Sequence, residues 1–441
     1  MNFGDDDGDG DNGLLGPPQH LLAGEVPPPY SPFEPTELND YTELNDYTES
    51  SEREEAGQAA PLSPAAAVVL EPTELTMTSS DTLVQATQLL RPAHSIVLSF
   101  EGFSSTSVAV RTDTENRSCG LVSLVARFRH RLQSQENGER LVDAKSRVDA
   151  KSSKCMIDFI LADGAQGTCQ VAECEVVLPH GRLSPLPELG LRLPAGSHLT
   201  MSGITQAQVS RLDVAMVSGI ARLDEIGTDT LRVAVADGKV NVGNVEVKRN
   251  VELVAVRGTI QVGGCVAGEG IRVNAPDGSV EMADVVTRTM SVKGRSGTVA
   301  LRAVRADELT IRTVAGPVTI DEITAFSLDV DVSTSPVRGS WTISRSLNIN
   351  ATSAIVQGKL TVAGDGVRSR IRTAGWPVRL ALNEDYVGHF DIRAANSIVN
   401  LGIAEATFYE NRTNWKQGVI GIGANVLEVE STNSPVVITT H

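Results

Sequence analysis

Asp329 and Asp331, alternate residues of Leu328-Asp-Val-Asp-Val332, are the two carboxylates of this chain best spaced to work as a pair. Alternate residues of a strand share one face, so both acids would emerge side by side. With a cation such as Arg312, Arg372 or Arg393 beside them, they could serve a carbohydrate-active enzyme, whose chemistry needs paired carboxylates at a set separation. The equivalent outward positions, however, read Arg232, Arg272, Ser291, Thr310, Asp329, Asn348 and Arg370. That is a mixed-sign surface of the kind solubility alone produces. Cys155, Cys169 and Cys174, with His180, are the nearest thing to a zinc set. A structural zinc site wants tight Cys-x2–4-Cys knuckles on turns. Cys174 instead alternates with Val176 and Leu178, the pattern of a small buried apolar residue. Cys265, after Gly263-Gly264, reads as a small residue at a bend. No Gly-rich loop ends in Lys-Ser/Thr, and no Gly-x-Ser-x-Gly elbow occurs. The sequence therefore assigns no catalytic residue, no cofactor and no metal ligand.

One short motif does carry a recognisable mechanism. Pro27-Pro28-Pro29-Tyr30 resembles the PPxY ligand of WW domains. Its prolines pre-set a polyproline II helix, so little conformational entropy is lost on docking. The motif lies in residues 1–90, which hold eighteen carboxylates against a single base, Arg53. The whole 441-residue chain carries a net charge of −17, so the remainder is neutral, with 37 bases against 37 acids. A basic groove for nucleic acid is not expected from that balance. Residues 1–90 mix Asp, Glu, Pro, Gly and Ser and read as a disordered acidic tail. A tandem hexapeptide, 36–41 repeated at 42–47, agrees with that reading. The start lacks the basic and apolar regions of a signal peptide, and no apolar run reaches membrane-spanning length, so the expected location is cytoplasmic. Five cysteines in so long a chain exclude a disulfide-rich secreted scaffold.

The elements that must position any site follow from a repeat. Gly219, Gly238, Gly258, Gly278, Gly297 and Gly316 are spaced 19, 20, 20, 19 and 19 residues apart. Each of the last five precedes an apolar-polar-apolar triplet, as in Gly238-Lys-Val-Asn-Val242 and Gly258-Thr-Ile-Gln-Val262. Later units replace the Gly with Ser, as in Ser335-Pro-Val337, Ser397-Ile-Val-Asn-Leu401 and Ser434-Pro-Val-Val-Ile438. A hairpin layout would suit Asp237-Gly238 and Asp277-Gly278, but it tolerates those later Ser turns poorly. A constant rung with like residues in columns is what a β-solenoid needs, because each coil buries its apolar face only against its neighbours. The sequence thus predicts an all-β, single-stranded β-solenoid, right-handed β-helix-like, with about 10 rungs of 19–20 residues.

Three parts are expected: the tail at 1–90, an N-terminal β-rich capping part at 91–200, and the repetitive solenoid at 201–441 with an insertion at 403–426. Within the insertion, Phe408 to Val419 reads as a lid or helix. The tandem Val142–Ser146 and Val148–Ser152 reads as an exposed loop or helix. Leu121 to Leu132, with Arg127, Arg129 and Arg131, reads as a solvated helix or strand, with a membrane-surface helix as the alternative.

These "Ser/Thr/Gly-x-Val-x-Val" units over residues 95–440 resemble the putative-adhesin family of unknown function, whose members are β-helices with Gly-punctuated rungs. The acidic tail with its Pro-Pro-Pro-Tyr-Ser element ahead of such a domain is similar to fungal-type proteins of that style. The expected function is a non-enzymatic, adhesin-like scaffold that binds a carbohydrate or surface ligand, while the Pro27-Pro28-Pro29-Tyr30 motif has the tail recruit a WW-domain protein. The outward column Asn241, Gln261, Glu281, Thr319, Arg379 and Asn400 is the expected binding face. The alternatives are a carbohydrate-active β-helix enzyme of lyase or hydrolase type, and a filament-forming structural protein.

Overall fold

The computed structural model describes residues 76–79, 83–90, 95–112, 122–130, 142–149, 154–161, 169–179, 186–206 and 208–441. Every regular element among them is a β-strand. In Thr230–Val247 the buried positions are Leu231, Val233, Val235, Val240, Val242, Val245 and Val247, with polar residues between them. A coil this narrow cannot cover its own apolar side, so it stacks. Stacking is parallel and steps by one repeat: Leu231 pairs with Val251, Val240 with Ile260 and Val245 with Cys265. Each interior coil therefore has three straight runs, here 230–235, 237–243 and 245–247, separated by two bends. Gly238 pairs with Gly258 on the next coil rather than closing a hairpin, which settles the architecture as a solenoid.

The two bends are built differently. At the first, Gly219, Gly238, Gly258, Gly297 and Gly316 stack with φ between +104° and +143°. A Cβ on Gly258 would sit 1.8 Å from the Gly238 carbonyl oxygen, so no other residue fits. At the second, Glu225, Asn244, Gly264, Asp284, Ala303 and Glu322 are all left-handed, with φ from +49° to +74°. Glycine is not required here because solvent lies outside the bend. Neighbouring coils nonetheless impose the geometry on Glu and Ala, at a strain of about 1–3 kcal/mol each.

Inside, like residues pile up as the repeat predicts: Val240, Ile260, Val280, Val299, Val318, Val337, Val356 and Val378 form one unbroken ladder. At the ends the order of coils departs from the order of the chain. Val378 pairs next with Val436, and Val436 in turn with Val399. Asn425–Ser431 likewise lies between Arg368–Thr373 and Gly388–Ala394. The last coil is wedged inside the stack. The other end does the same: Ser95–Glu101 lies between Lys154–Leu161 and Leu186–Leu193, and Thr106–Thr112 between Cys169–Leu178 and Ser197–Ile204.

Antiparallel strands close both ends, and here two sequence expectations are corrected. Residues 406–420 are not a lid or helix but two strands: Trp415–Ile420 lies antiparallel on Gly388–Ala394, and Ala406–Asn411 lies antiparallel on Trp415–Ile420. Val142–Asp149 is neither loop nor helix; it pairs antiparallel with Lys154–Leu161. Of the two forms expected for residues 121–132, Val122–His130 takes the strand, antiparallel to Cys169–Leu178. A helix in any of these places would leave the terminal coil's N–H and C=O groups unpaired, and an antiparallel strand satisfies them. Leu83–Leu90 and Thr76–Ser79 extend that same edge, so regular structure begins within the segment read as tail. Among the described residues no helix is long and apolar enough to cross a membrane.

Candidate ligand-binding face

Because side chains alternate along each run, every second residue of the 237–243 run points outward, and stacking turns those residues into ladders. One ladder reads Arg222, Asn241, Gln261, Glu281, Ala300 and Thr319. It continues through Arg338, Gln357, Arg379 and Val437 to Asn400. The sequence-derived column is therefore real, but Ala300, Arg338, Gln357 and Val437 belong in it as well. A second ladder two residues on reads Asp224, Gly243, Gly263, Ala283 and Arg302. Three successive small residues make this ladder a floor. The result is a trough of about 860 Å³ bounded by Arg222 and Asp224 at one end and Arg302 and Asp321 at the other.

Its walls are polar and tied across coils. Gln261 Nε2 donates to Glu281 Oε2 at 2.7 Å, and Asn244 Nδ2 to Asp224 Oδ1 at 3.2 Å. Asn241 Oδ1 is shielded from solvent and accepts no hydrogen bond. A cavity of about 620 Å³ continues the trough, sharing Thr319 and Asp321 and adding Arg338, Gly339, Gln357, Gly358, Lys359 and Arg379. Apolar floor plus convergent amide and charged groups is the general makeup of a ligand site.

The face carrying the candidate acids is arranged differently. Asp329 Oδ1 accepts from Asn348 Nδ2 at 2.6 Å, and Asp331 Oδ1 from Asn350 Nδ2 at 3.2 Å. Each acid is a rung of its own ladder, Thr310–Asp329–Asn348 and Arg312–Asp331–Asn350, and each is bonded along it. Arg372 pairs with Glu430 at 3.4 Å, Arg370 with Glu428 at 3.1 Å and Arg232 with Glu252 at 3.2 Å. Exposed pairs of this sort contribute little each; together they neutralise the face coil by coil. Arg393 clamps the end strands: it makes two bonds to Asp391 at 2.9 and 2.7 Å and lies 5.0 Å from the Trp415 ring centre. Trp415 Nε1 donates to the same Asp391 at 3.0 Å.

Among the described residues, Cys155, Cys174 and Cys265 lie in the core columns. Cys155 pairs with Ile96 on the first face and Cys174 with Val108 on the second, and both are buried. Burial pushes the Cys174 thiol well above its usual value, with Glu175 adding to the shift, and pushes Cys265 up to about 12. Thiols held protonated in this way are poor nucleophiles and poor ligands. His180 and the side chain of Cys169 lie outside the described residues, as do Pro27, Pro28, Pro29 and Tyr30. Among the described residues no three His, Cys, Asp or Glu side chains converge as a metal site.

Residues 258–433 match the Toastrack DUF4097 family. This family is of unknown function, and the Toastrack stretch runs from the Gly258 bend into the wedged last coil. It contains both the trough's floor from Gly263 onward and the Arg338–Arg379 continuation. Among solved structures, a putative cell adhesion protein from Clostridium sporogenes is similar at 9% identity, over 81% of this chain and 99% of that one, with a TM-score of 0.18. A putative adhesin from Bacteroides fragilis is similar at 8% identity, over 81% and 98%, with a TM-score of 0.17. No curated protein matches.

Proposed function

We propose that this chain is a non-enzymatic, adhesin-like binding scaffold whose ligand surface is the outward trough of the 237–243 runs. The observation that carries the reading is the floor: Gly243, Gly263 and Ala283 stack where larger residues would fill the cavity, directly beside the Asn241–Gln261–Glu281 ladder. Nothing in the packing of Gly263 calls for glycine. A Cβ there meets no atom within 4 Å, and its φ is not left-handed. Glycine at this position serves the empty space, and empty space beside polar ladders serves a ligand. The non-enzymatic part rests on the candidate acids, which spend their hydrogen bonds on Asn348 and Asn350 instead of facing each other across a cleft.

The test is Gly263→Trp, which fills the trough without disturbing the coil. On an array of immobilised neutral and acidic polysaccharides, the natural chain is expected to be retained by at least one polymer. Gly263→Trp should lose about tenfold or more of that affinity while thermal unfolding stays unchanged. Retention of no polymer, or full retention by the variant, overturns the assignment.

A second activity is supported by the Pro27-Pro28-Pro29-Tyr30 motif alone. In this reading the tail recruits a WW-domain protein to the scaffold. A peptide of residues 24–36 should bind a PPxY-selective WW domain, and Tyr30→Ala should weaken it about tenfold or more. Absence of binding, or no effect of Tyr30→Ala, removes this activity.

A further inference from the structure

Charge changes sign along the trough. The first part is lined by Arg222 and Arg302 against Asp224, Glu281 and Asp321. The continuation is lined by Arg338, Lys359 and Arg379 against Asp321 alone. Asp321 is already engaged, accepting from Ser340 Oγ. None of the three cations pairs with a carboxylate among the described residues. Other cations of the stack, Arg272 and Arg312 among them, also lie without a carboxylate partner; what distinguishes these three is that they line one cavity. Three like charges kept close without partners cost stability, and the fold has placed them around one cavity.

From this we infer that the Arg338–Lys359–Arg379 part of the trough is a subsite for the carboxylate or sulfate groups of an acidic polysaccharide; the inference rests on the trough being the ligand face. Spacing selects the polymer. Arg338 and Arg379 share one ladder with Gln357 between them, so they stand two rungs apart, about 10 Å. That is close to the length of an extended disaccharide, so alternate sugars present their charges in step with the ladder. A peptide laid along the same axis repeats its same-face side chains every 6.6–6.8 Å or so and falls out of step. Lys359, on the neighbouring ladder between Ser340 and Ala381, reaches the intervening sugar from the side.

Calorimetric titration of the full chain decides the matter with three probes: a polyuronate oligosaccharide, its carboxyl-reduced neutral counterpart, and a peptide of residues 36–47 as an acidic polypeptide. The uronate should bind about tenfold or more tighter than the neutral sugar, and this preference should shrink as salt is raised. Arg338→Gln/Lys359→Gln/Arg379→Gln should abolish the preference. All three side chains are exposed and their mutual repulsion is removed, so the unfolding temperature should hold or rise and should not fall. As a measurement independent of that variant, the salt dependence of the natural chain reads the same charges. Equal affinity for the two sugars overturns the subsite while leaving the trough as a ligand face. Binding of the peptide as tightly as the uronate overturns the choice of a sugar. Failure of both sugars to bind overturns the subsite and the trough together.

Discussion

Gly258→Ala is expected to prevent folding or to destabilise the protein by about 4 kcal/mol or more, a size reserved for broken backbones and cores. The added methyl carbon would lie 1.8 Å from the Gly238 carbonyl oxygen and 2.7 Å from its carbon. Both are backbone atoms, so no side-chain rotation relieves the clash, and the coils must separate along the ladder. The φ of +127° adds strain for any residue with a side chain. Gly263→Ala, five residues away, provides the comparison. Its methyl meets nothing within 4 Å, so it should be neutral or slightly stabilising through the unfolded state. Urea unfolding of the two variants beside the natural chain measures the difference. A Gly258→Ala protein as stable as Gly263→Ala would mean that the coils are not in backbone contact at that bend.

The second large effect is expected from ending the chain at residue 424. If coils stacked in chain order, losing the last one would fray only one edge. Here residues 425–440 separate two other coils, so their removal detaches residues 388–420 as a group. Leu427 lies between Ser369 and Phe390, and Val429 between Ile371 and Ile392. Asn425 locks the seam: its Oδ1 accepts from the Val367 N–H and its Nδ2 donates to the Val387 carbonyl, both at 2.9 Å. Hydrogen exchange on the shortened chain should show residues 388–420 unprotected while 209–360 keep their protection. Protection persisting in 388–402 would show that this coil docks directly on 368–382.

These two cases also show how far the sequence can be read. The columns were legible because stacking places Val on Val at a fixed period, and a period survives in one dimension. The order of the end coils was not, because Val399 and Val436 fit the space above Val378 equally well by residue type. Nothing in a local triplet says which arrives first. The second bend was invisible for a related reason: Glu225, Ala303 and Glu322 carry no left-handed signature, and only their neighbours hold them there. The trough was half legible. Its polar wall appeared as a ladder, but the floor did not: Gly243 and Gly263 lie outside the Gly-led triplets that mark the repeat, and their outward position emerges only from the stacking register. Arg338 and Gln357 were missed because the Ser335-Pro336-Val337 and Ser353–Val356 units drift from the Gly-led pattern that marks the earlier coils.

The wedged coil also governs how the molecule can come off the ribosome. Residues 388–402 have no seat until 425–440 have emerged and been threaded beside them, so this end waits, edges open, while the middle is already zipped. For the same reason an extra coil inserted in the middle, where order in the chain and order in the stack agree, would lengthen the protein harmlessly. One appended after residue 440 would find no free neighbour to lie on.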